Sequence, residues 1–209
     1  MAAKPNPPKS PGRLRSYDPV QTRKAIIKAA LKLFKRNGYY ATAVKDIADE
    51  AGVTKGAFYH HFETKEDVLL LIHQDYLDYQ LEAIRAVLDS GGSATDRLTG
   101  IISSILEALG KYHENVAIFF QERRFLNGPK FDEVRLKREQ LEDSFRALVE
   151  EGVANGEFRK DLDVPVTCLA LIGMCAWSYQ WYSPRGRLKP DVVSRIFANL
   201  ALEGVATRP

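Results

Sequence analysis

A short segment that follows Gly52 combines small side chains with hydrogen-bond donors. Gly56 and Ala57 leave room for the close approach of another molecule, and the Ala57 methyl group could touch a thymine methyl. Lysine, tyrosine and histidine side chains donate hydrogen bonds to phosphate oxygens. The positions in and around the segment that share these properties are Thr42, Lys45, Thr54, Lys55, Gly56, Ala57, Tyr59, His60, His61 and Lys65. This set predicts contact with double-stranded DNA.

Two short helices are predicted to position these residues. Thr42 is the expected N-cap of the first helix, and the second helix spans about 54–61. Gly52 lies between them and can adopt the positive φ that a tight turn needs. Apolar residues such as Ile47 and Phe58 are expected to face inward. The pattern is typical of a helix-turn-helix, whose second helix enters the major groove of DNA.

Charge is distributed unevenly along the chain. Residues 1–65 contain 13 Lys and Arg against 5 Asp and Glu, a difference of +8, so the remaining residues carry 17 against 22, a difference of −5. A cationic first third favours an anionic partner there, although a solvated basic face gives the same balance. The adjacent His60 and His61 point in different directions on a helix, and no Cys or carboxylate cluster completes a site. We therefore expect neither a metal nor a cofactor.

Periodic apolar residues elsewhere predict helices, and no segment shows the alternation of a strand. The predicted helices beyond the two short ones span 19–37, 65–89, 94–111, 113–126, 130–154, 165–182 and 190–204. We expect an all-α protein with a disordered basic tail (1–17), a three-helix N-terminal helix-turn-helix domain (18–64) and a C-terminal helical domain (65–209).

Other features limit the compartment and the reaction class. Cys168 and Cys175 lie too far apart along one predicted helix to form a disulfide. The chain has no uncharged apolar run of about eighteen residues, and residues 1–17 lack the hydrophobic centre of a signal peptide. We expect a cytoplasmic protein that does not enter a membrane. An enzyme is not expected, because no nucleophile elbow, phosphate-binding glycine loop or His-carboxylate metal spacing is present.

The segment from Gly38 to Leu70 resembles the TetR family of transcriptional regulators. The resemblance rests on G-Y-x-x-T-x-V-x-D-I-A at 38–48, A-G-V-T-K-G-A-F-Y-H-H-F at 51–62 and K-E-D-V-L at 65–69. It implies an Ω-shaped homodimer that binds a palindromic operator and a C-terminal domain that binds an inducer. The family's phosphate contacts would fall on Tyr59, His61 and Lys65, and its base-reading positions on Lys45, Lys55, Gly56 and Ala57. Ala43 departs from the Ser or Thr of many members.

Aromatic residues in the C-terminal part predict a ligand pocket, although ordinary core packing would give the same spacing. A helix continuing to Tyr182 would place Met174, Trp177 and Trp181 on one face. The candidate ligand-contacting residues are Tyr112, Phe119, Phe120, Arg123, Arg124, Met174, Trp177, Gln180 and Trp181. Such a pocket would be largely apolar with a few polar anchors, as small-molecule sites commonly are.

The string W-S-Y-Q-W-Y-S-P-R-G-R-L at 177–188 is similar to a pattern in TetR-type regulators of lipid and aromatic-acid breakdown, several of which sense acyl-CoA thioesters. The resemblance implies an acyl-CoA inducer, with Arg123, Arg124 or Arg185 facing its phosphates. The alternative ligand is a flat hydrophobic or cationic drug. The alternative to a repressor is a nonspecific architectural DNA-binding protein.

Dimerisation is expected where the last two helices meet their copies across a two-fold axis. The residues expected at this interface are Leu169, Ile172, Gly173, Ala176, Val193, Ile196, Phe197 and Leu200. The alternative is that these residues close the core of the monomer.

Overall fold

The computed structural model describes residues 18–122, 126 and 128–207, apart from the side chain of Lys130. Its α-helices are Pro19–Asn37 (α1), Val44–Ala51 (α2), Lys55–His61 (α3), Lys65–Asp89 (α4), Ala94–Glu122 (α5), Pro129–Ala154 (α6), Val164–Trp177 (α7) and Pro190–Val205 (α8). Within these residues the only β-type pairing is one bridge between Phe158 and Ala206. The all-α class is confirmed. The predicted tail at 1–17 lies outside the described residues.

Helix α1 begins and ends where the sequence signals predict. The Asp18 carboxylate accepts hydrogen bonds from the N–H groups of Val20 and Gln21 at 2.9 and 3.2 Å, and Pro19 occupies the first helical position. Gly38 follows the last residue with a φ of 81°. Because α1 packs against α2, α3 and α4, it supports the two short helices.

The start of α2 differs from the prediction. Ala43, not Thr42, occupies the N-cap position, and the Asp46 carboxylate accepts the Ala43 N–H at 3.1 Å. The Thr42 hydroxyl donates to the Gly38 carbonyl at 2.8 Å, and Thr42 is 1% exposed. The chain folds back on the end of α1 here, so the Thr42 side chain faces inward. The structure therefore contradicts the predicted contact of Thr42 with DNA.

Gly52 forms the turn between α2 and α3. Its φ of 70° and ψ of 31° are left-handed. Its N–H donates to the Asp49 carbonyl at 3.1 Å, and the Val53 N–H donates to the Ala48 carbonyl at 3.0 Å. These two bonds satisfy carbonyls at the end of α2, so the turn fixes the direction in which α3 continues.

Replacement of Gly52 by alanine is expected to destabilise the protein by about 1–2 kcal/mol, because a Cβ atom opposes the left-handed conformation. Thermal unfolding should show a Tm lowered by about 2–8 °C. Gly56→Ala is the matched control, since Gly56 lies within α3 and has no positive φ. The control should keep or raise the Tm, and equal losses in both variants would contradict the role of the turn.

Helix α5 is central to the C-terminal part and packs against α4, α6 and α8. It is kinked at Tyr112, where φ is −110° and ψ is 23°, at the predicted break between 94–111 and 113–126. Helix α7 ends at Trp177, and a 3-10 turn, Ser178–Gln180, follows. The prediction of one helix to Tyr182 is wrong, so Trp177 and Trp181 do not share a continuous helical face.

Both cysteines are buried and neither forms a disulfide. Burial raises the pKa of the Cys175 thiol to about 12 and also raises the pKa of Cys168. Neither thiol is therefore a reactive thiolate at neutral pH. Across the described part of the chain, no helix has the length and apolar character needed to cross a membrane.

Candidate DNA-binding surface and ligand cavity

The side of α3 that faces away from the core carries most of the small and donor-bearing residues. Phe58 is 0% and Phe62 is 6% exposed, and these rings lie on the side where α3 packs against α1 and α2. On the other side Lys55 and Gly56 are exposed, and Tyr59 is 49% exposed. A short helix with this surface can enter a major groove about 12 Å wide.

Local contacts hold the donors in place. Thr54 Oγ1 accepts the Ala57 N–H at 3.1 Å and caps α3. The Lys55 ammonium lies 5.7 Å from the centre of the Tyr59 ring. On the exposed face of α2, the Lys45 ammonium lies 3.3 Å from a carboxylate oxygen of Asp49, one helical turn later. Exposed pairs of this kind are weak, so Lys45 can exchange its partner for a phosphate.

The two histidines of α3 lie in different surroundings. His60 is exposed, whereas His61 is half-buried in a cleft that also contains Arg23 and Gln74. Burial lowers the pKa of His61, with a smaller contribution from His60. His61 is therefore a neutral group at pH 7, at the edge of the α3 surface beside α1 and α4.

Lys65 contacts the protein backbone, and its predicted role as a phosphate ligand stays a prediction. Its ammonium donates to the carbonyls of Tyr39, Tyr40 and Thr42 at 2.8, 3.2 and 3.0 Å. The ammonium also lies 4.4 Å from the centre of the Tyr39 ring, and burial lowers its pKa. The first residue of α4 thus fixes the turn before α2. We call these contacts the Lys65 latch.

Replacement of Lys65 by methionine is expected to lower the free energy of unfolding by about 2–3 kcal/mol, because three carbonyls lose a charged donor. Thermal unfolding should show a Tm lowered by about 4–12 °C, and operator affinity should fall as the turn loosens. Lys160→Met, at an exposed position, is the control and should change neither quantity. An unchanged Tm with a salt dependence reduced by about one counterion would instead show a phosphate contact.

Two further contacts connect the turn before α2 and the end of α1 to α5. Glu122 accepts the Tyr39 N–H at 3.2 Å, and Lys35 pairs with Glu114 at 2.5 Å. Tyr40, which was not among the predicted contacts, is 81% exposed in this turn; its only sequence signal is an aromatic residue in a polar loop. Both long helices α4 and α5 therefore hold the segment that leads into the helix-turn-helix.

A narrow cavity lies between α4, α5, α6 and α7. Its walls are mostly apolar, with polar groups from His73, Tyr76, Gln80, Arg138 and Glu142. Its volume is about 50 Å³, far below the roughly 300–1,000 Å³ of typical small-molecule sites. A ligand of ordinary size can therefore enter only if these helices separate.

Some of the predicted ligand contacts lie at or near this cavity. Phe120 lines it. Phe119 is buried and stacks in parallel on the ring of His73. Tyr112 lies at the kink of α5, and the centre of its ring is 6.0 Å from the centre of the Tyr76 ring in the cavity wall. The remaining residues from this part of the chain, Arg123 and Arg124, lie outside the described residues.

The aromatic end of α7 does not contribute to the cavity, which corrects the predicted pocket. Trp177 and Trp181 are 62% and 47% exposed, and Gln180 is exposed. Met174 lines a separate groove between α7 and α8. The prediction assumed a helix to Tyr182; because α7 ends at Trp177, the residues beyond it follow a different path.

His73 is a cavity residue that the predictions missed. It is 1% exposed, and neither ring nitrogen has a hydrogen-bond partner among the described residues. Burial lowers its pKa well below the usual value, with a smaller contribution from Arg138, so the ring is neutral at pH 7. The available signal was a polar residue at a core-facing position of α4, next to Ile72.

The protein is expected to lose stability as the pH falls below about 6.5, the ordinary pKa of histidine. The folded pKa of His73 lies below its unfolded value, so its stabilising contribution is complete above the unfolded pKa and is lost toward the folded pKa. Urea unfolding between about pH 7.5 and 5 should show a slope approaching about 1.4 kcal/mol per pH unit. In His73→Phe most of this pH dependence should disappear, and the small part that remains should come from His61. An unchanged slope in the variant would contradict a buried neutral His73 ring.

Comparison with known proteins assigns both parts of the chain to one family. The family model for bacterial regulatory proteins of the tetR family matches residues 26–72, and the model for the tetracyclin repressor-like C-terminal domain matches residues 91–205. The chain belongs to the TetR family of transcriptional regulators, as its motifs predict. Because these proteins are DNA-binding regulators, it is not an enzyme.

Individual relatives match along most of the chain. The HTH-type transcriptional repressor KstR2 of Mycolicibacterium smegmatis is 32% identical over 188 residues, 90% of this chain and 92% of the relative. The fatty acid metabolism regulator protein of Bacillus subtilis is 29% identical over 71% of this chain and 76% of its own. The solved structure of the ketosteroid transcriptional regulator KstR2 of Mycobacterium tuberculosis is 29% identical, with a TM-score of 0.82 over 94% of this chain and 98% of that one. The similarity thus extends well beyond the helix-turn-helix.

Proposed function

We propose that the protein is a homodimeric repressor in the bacterial cytoplasm, where its operator DNA lies, and that a small hydrophobic or acyl-CoA inducer releases it. The observation that carries the proposal is the exposed side of α3, where Lys55, Gly56 and Tyr59 lie together. Relatives named as a repressor, a fatty acid metabolism regulator and a ketosteroid regulator support repression and an apolar inducer. We retain the division into an 18–64 DNA-binding domain and a 65–209 ligand-binding and dimerisation domain.

The donors divide by position into base-reading and phosphate-binding groups. Gly56 and Ala57 begin α3 and allow close approach to base edges, with Lys55 beside them. Tyr59 lies one turn later and is placed to donate to a phosphate. The other proposed DNA contacts are Lys45, Thr54, His60 and His61. Lys65 is also a proposed phosphate contact, and its bonds to the backbone fix the turn before α2.

An exposed apolar face on α7 and α8 supports a two-fold dimer. Its large side chains are 54–60% exposed and comprise Val166, Leu169, Ile196 and Leu200. Helix α7 packs mainly on α6 and α8 mainly on α5, so this face has no large partner among the described residues of the monomer. Three residues predicted at the interface face inward instead: Ile172 and Ala176 line the cavity, and Val193 is 2% exposed. The second copy of this chain is therefore the proposed partner of the remaining face.

Helix α4 connects the cavity to the DNA-binding helices. It lines the cavity through His73 and Tyr76, and its first residue forms the Lys65 latch. A ligand that separates α4 from α6 and α7 moves this helix, and the latch passes the movement to the turn before α2. A coupling of about 1–3 kcal/mol changes operator affinity by about 5–150-fold, provided that the ligand prefers the moved state.

The operator is tested by selecting duplexes from a random library with the full-length protein. Fluorescence anisotropy then measures the affinity and stoichiometry of the enriched sequence. We expect an inverted repeat with half-sites about 34–36 Å apart, or a multiple of that distance, bound by two protomers or a multiple of two. Failure to enrich any repeat would reject the proposal.

The inducer is tested by titrating butyryl-CoA, octanoyl-CoA, palmitoyl-CoA and benzoyl-CoA into the protein–operator complex. At least one of them is expected to release the DNA, and isothermal titration should show its binding to the protein alone. Coenzyme A without an acyl group is the control and should not release the operator. Silence across the panel would reject the acyl-CoA class.

A further inference from the structure

His73 presents hydrogen-bonding groups that no described residue uses. The imidazole is 1% exposed and lines the cavity. Phe119 stacks on one face, and the ring of Tyr76 lies with its centre 6.0 Å away. A buried polar group without a partner destabilises the folded state. A partner that arrives with a ligand gives this residue a reason to be polar.

The surroundings of His73 favour an acceptor oxygen as that partner. A neutral imidazole offers one N–H donor, and the positive charge of Arg138 acts on the same region. The Arg138 guanidinium lies 5.4 Å from the centre of the Phe120 ring, which also lines the cavity. Burial raises the pKa of Tyr76, and the Gln80 amide, which is placed to donate to the Tyr76 hydroxyl oxygen, partly opposes this rise. The imidazole is therefore a buried cavity donor that has no acceptor among the described residues.

The charge of the cavity wall distinguishes a carbonyl from a carboxylate. Arg138 and Glu142 line the same space with opposite charges, so the wall offers no net positive charge to a free carboxylate. A thioester carbonyl is an acceptor without a net charge, so it gains the His73 bond without needing such a charge. The apolar lining suits the carbon skeleton that such a carbonyl carries.

We infer that His73 donates a hydrogen bond to the thioester carbonyl of the inducer, and that this bond selects acyl thioesters over hydrocarbons of the same shape. The inference rests on the proposed function, since it concerns the ligand of the same cavity. His73 lies on α4, as does Lys65. The bond would therefore form on the helix that carries the latch.

The test compares wild-type protein with His73→Phe and His73→Gln by isothermal titration, using whichever of the four acyl-CoAs binds the wild type most tightly. His73→Phe should weaken binding by about 10-fold, the effect of one hydrogen bond. His73→Gln keeps a donor and should stay within about threefold. Lys160→Phe introduces a phenyl ring at an exposed position outside this cavity and should bind like wild type.

A second measurement needs no ligand. His73→Phe removes two unsatisfied nitrogens and should raise the Tm of the ligand-free protein by about 2–6 °C. Its operator affinity should remain within about twofold of wild type, because α3 and the Lys65 latch are unchanged. The free fatty acid that matches the tightest acyl-CoA should bind His73-containing protein more weakly than the thioester does.

Equal acyl-CoA affinity in wild type and His73→Phe would overturn the inference and leave the proposed function intact. A lowered Tm in ligand-free His73→Phe would also overturn it, because the ring would then be satisfied within the fold. Tighter binding of the free acid would overturn the inference, because it would show that His73 binds a carboxylate and not a thioester carbonyl. If no acyl-CoA binds the wild type, both the inference and the acyl-CoA class of inducer are rejected. The selection of operator DNA still tests separately whether the protein is a DNA-binding regulator.

Discussion

Replacement of Gly56 by glutamate is expected to lower operator affinity by about 100-fold or more while the protein stays folded. Gly56 is exposed on α3, and the nearest atom to a Cβ there is Thr54 Oγ1 at 3.8 Å, an ordinary contact. A glutamate in the first turn of a helix is favourable. Toward DNA, however, it brings a negative charge and bulk into the groove, and such a like-charge contact costs several kcal/mol. Anisotropy and thermal unfolding measure the two effects separately.

Ala86→Glu adds the same charge at an exposed position of α4 and serves as the control. It should keep wild-type affinity within a few-fold, because it lies far along the chain from the helix-turn-helix. Wild-type affinity in Gly56→Glu would show that this side of α3 does not meet DNA. A lowered Tm in Gly56→Glu would mean that the substitution had disturbed the fold instead.

Replacement of Leu200 by arginine is expected to separate the dimer. Leu200 is 60% exposed on the apolar face of α8, and an arginine there would bury an unpaired charge at the interface. Light scattering should give a mass near 23.5 kDa in place of twice that value. Operator affinity should fall by about 100-fold or more, because the two DNA-binding domains that contact the half-sites are no longer joined in one dimer.

Leu136→Arg is the matched control, since Leu136 is 52% exposed on α6, away from the proposed interface. It should remain dimeric and bind the operator normally. A dimeric Leu200→Arg variant would move the interface away from α8. A monomeric variant with full affinity would show that dimerisation is not needed for binding.

The helix-turn-helix could be predicted because its signals are local. Thr54 caps α3, Gly52 takes the left-handed turn, and Phe58 faces the core. Each of these roles depends on neighbours within a few residues, so the residue type and its spacing were enough. The same holds for Asp18 and Pro19 at the start of α1.

The contacts that could not be predicted are those between a side chain and residues that are distant in the sequence. The sequence predicts a phosphate contact for Lys65 but not the carbonyls that the turn at 39–42 supplies to its ammonium. Thr42 faces inward because the chain folds back at this turn. Sequence spacing carries no information about such a return of the chain, so neither contact could be foreseen.

The ligand cavity was the least predictable feature. The spacing of the aromatic residues at 177–182 predicts one helical face, but α7 ends at Trp177. The polar groups that line the cavity instead include His73, on the core-facing side of α4, and Arg138 of α6. Which stripes face each other across a helical bundle depends on packing, and a single sequence does not specify that pairing.

The most direct measurement is the affinity of the wild-type protein for its selected operator and for a scrambled duplex of equal length and composition, at physiological salt. A regulator that reads DNA through α3 should prefer the operator by about 1,000-fold or more. Equal affinities would indicate a nonspecific architectural protein, and no binding to either duplex would contradict a DNA-binding role for α3 altogether.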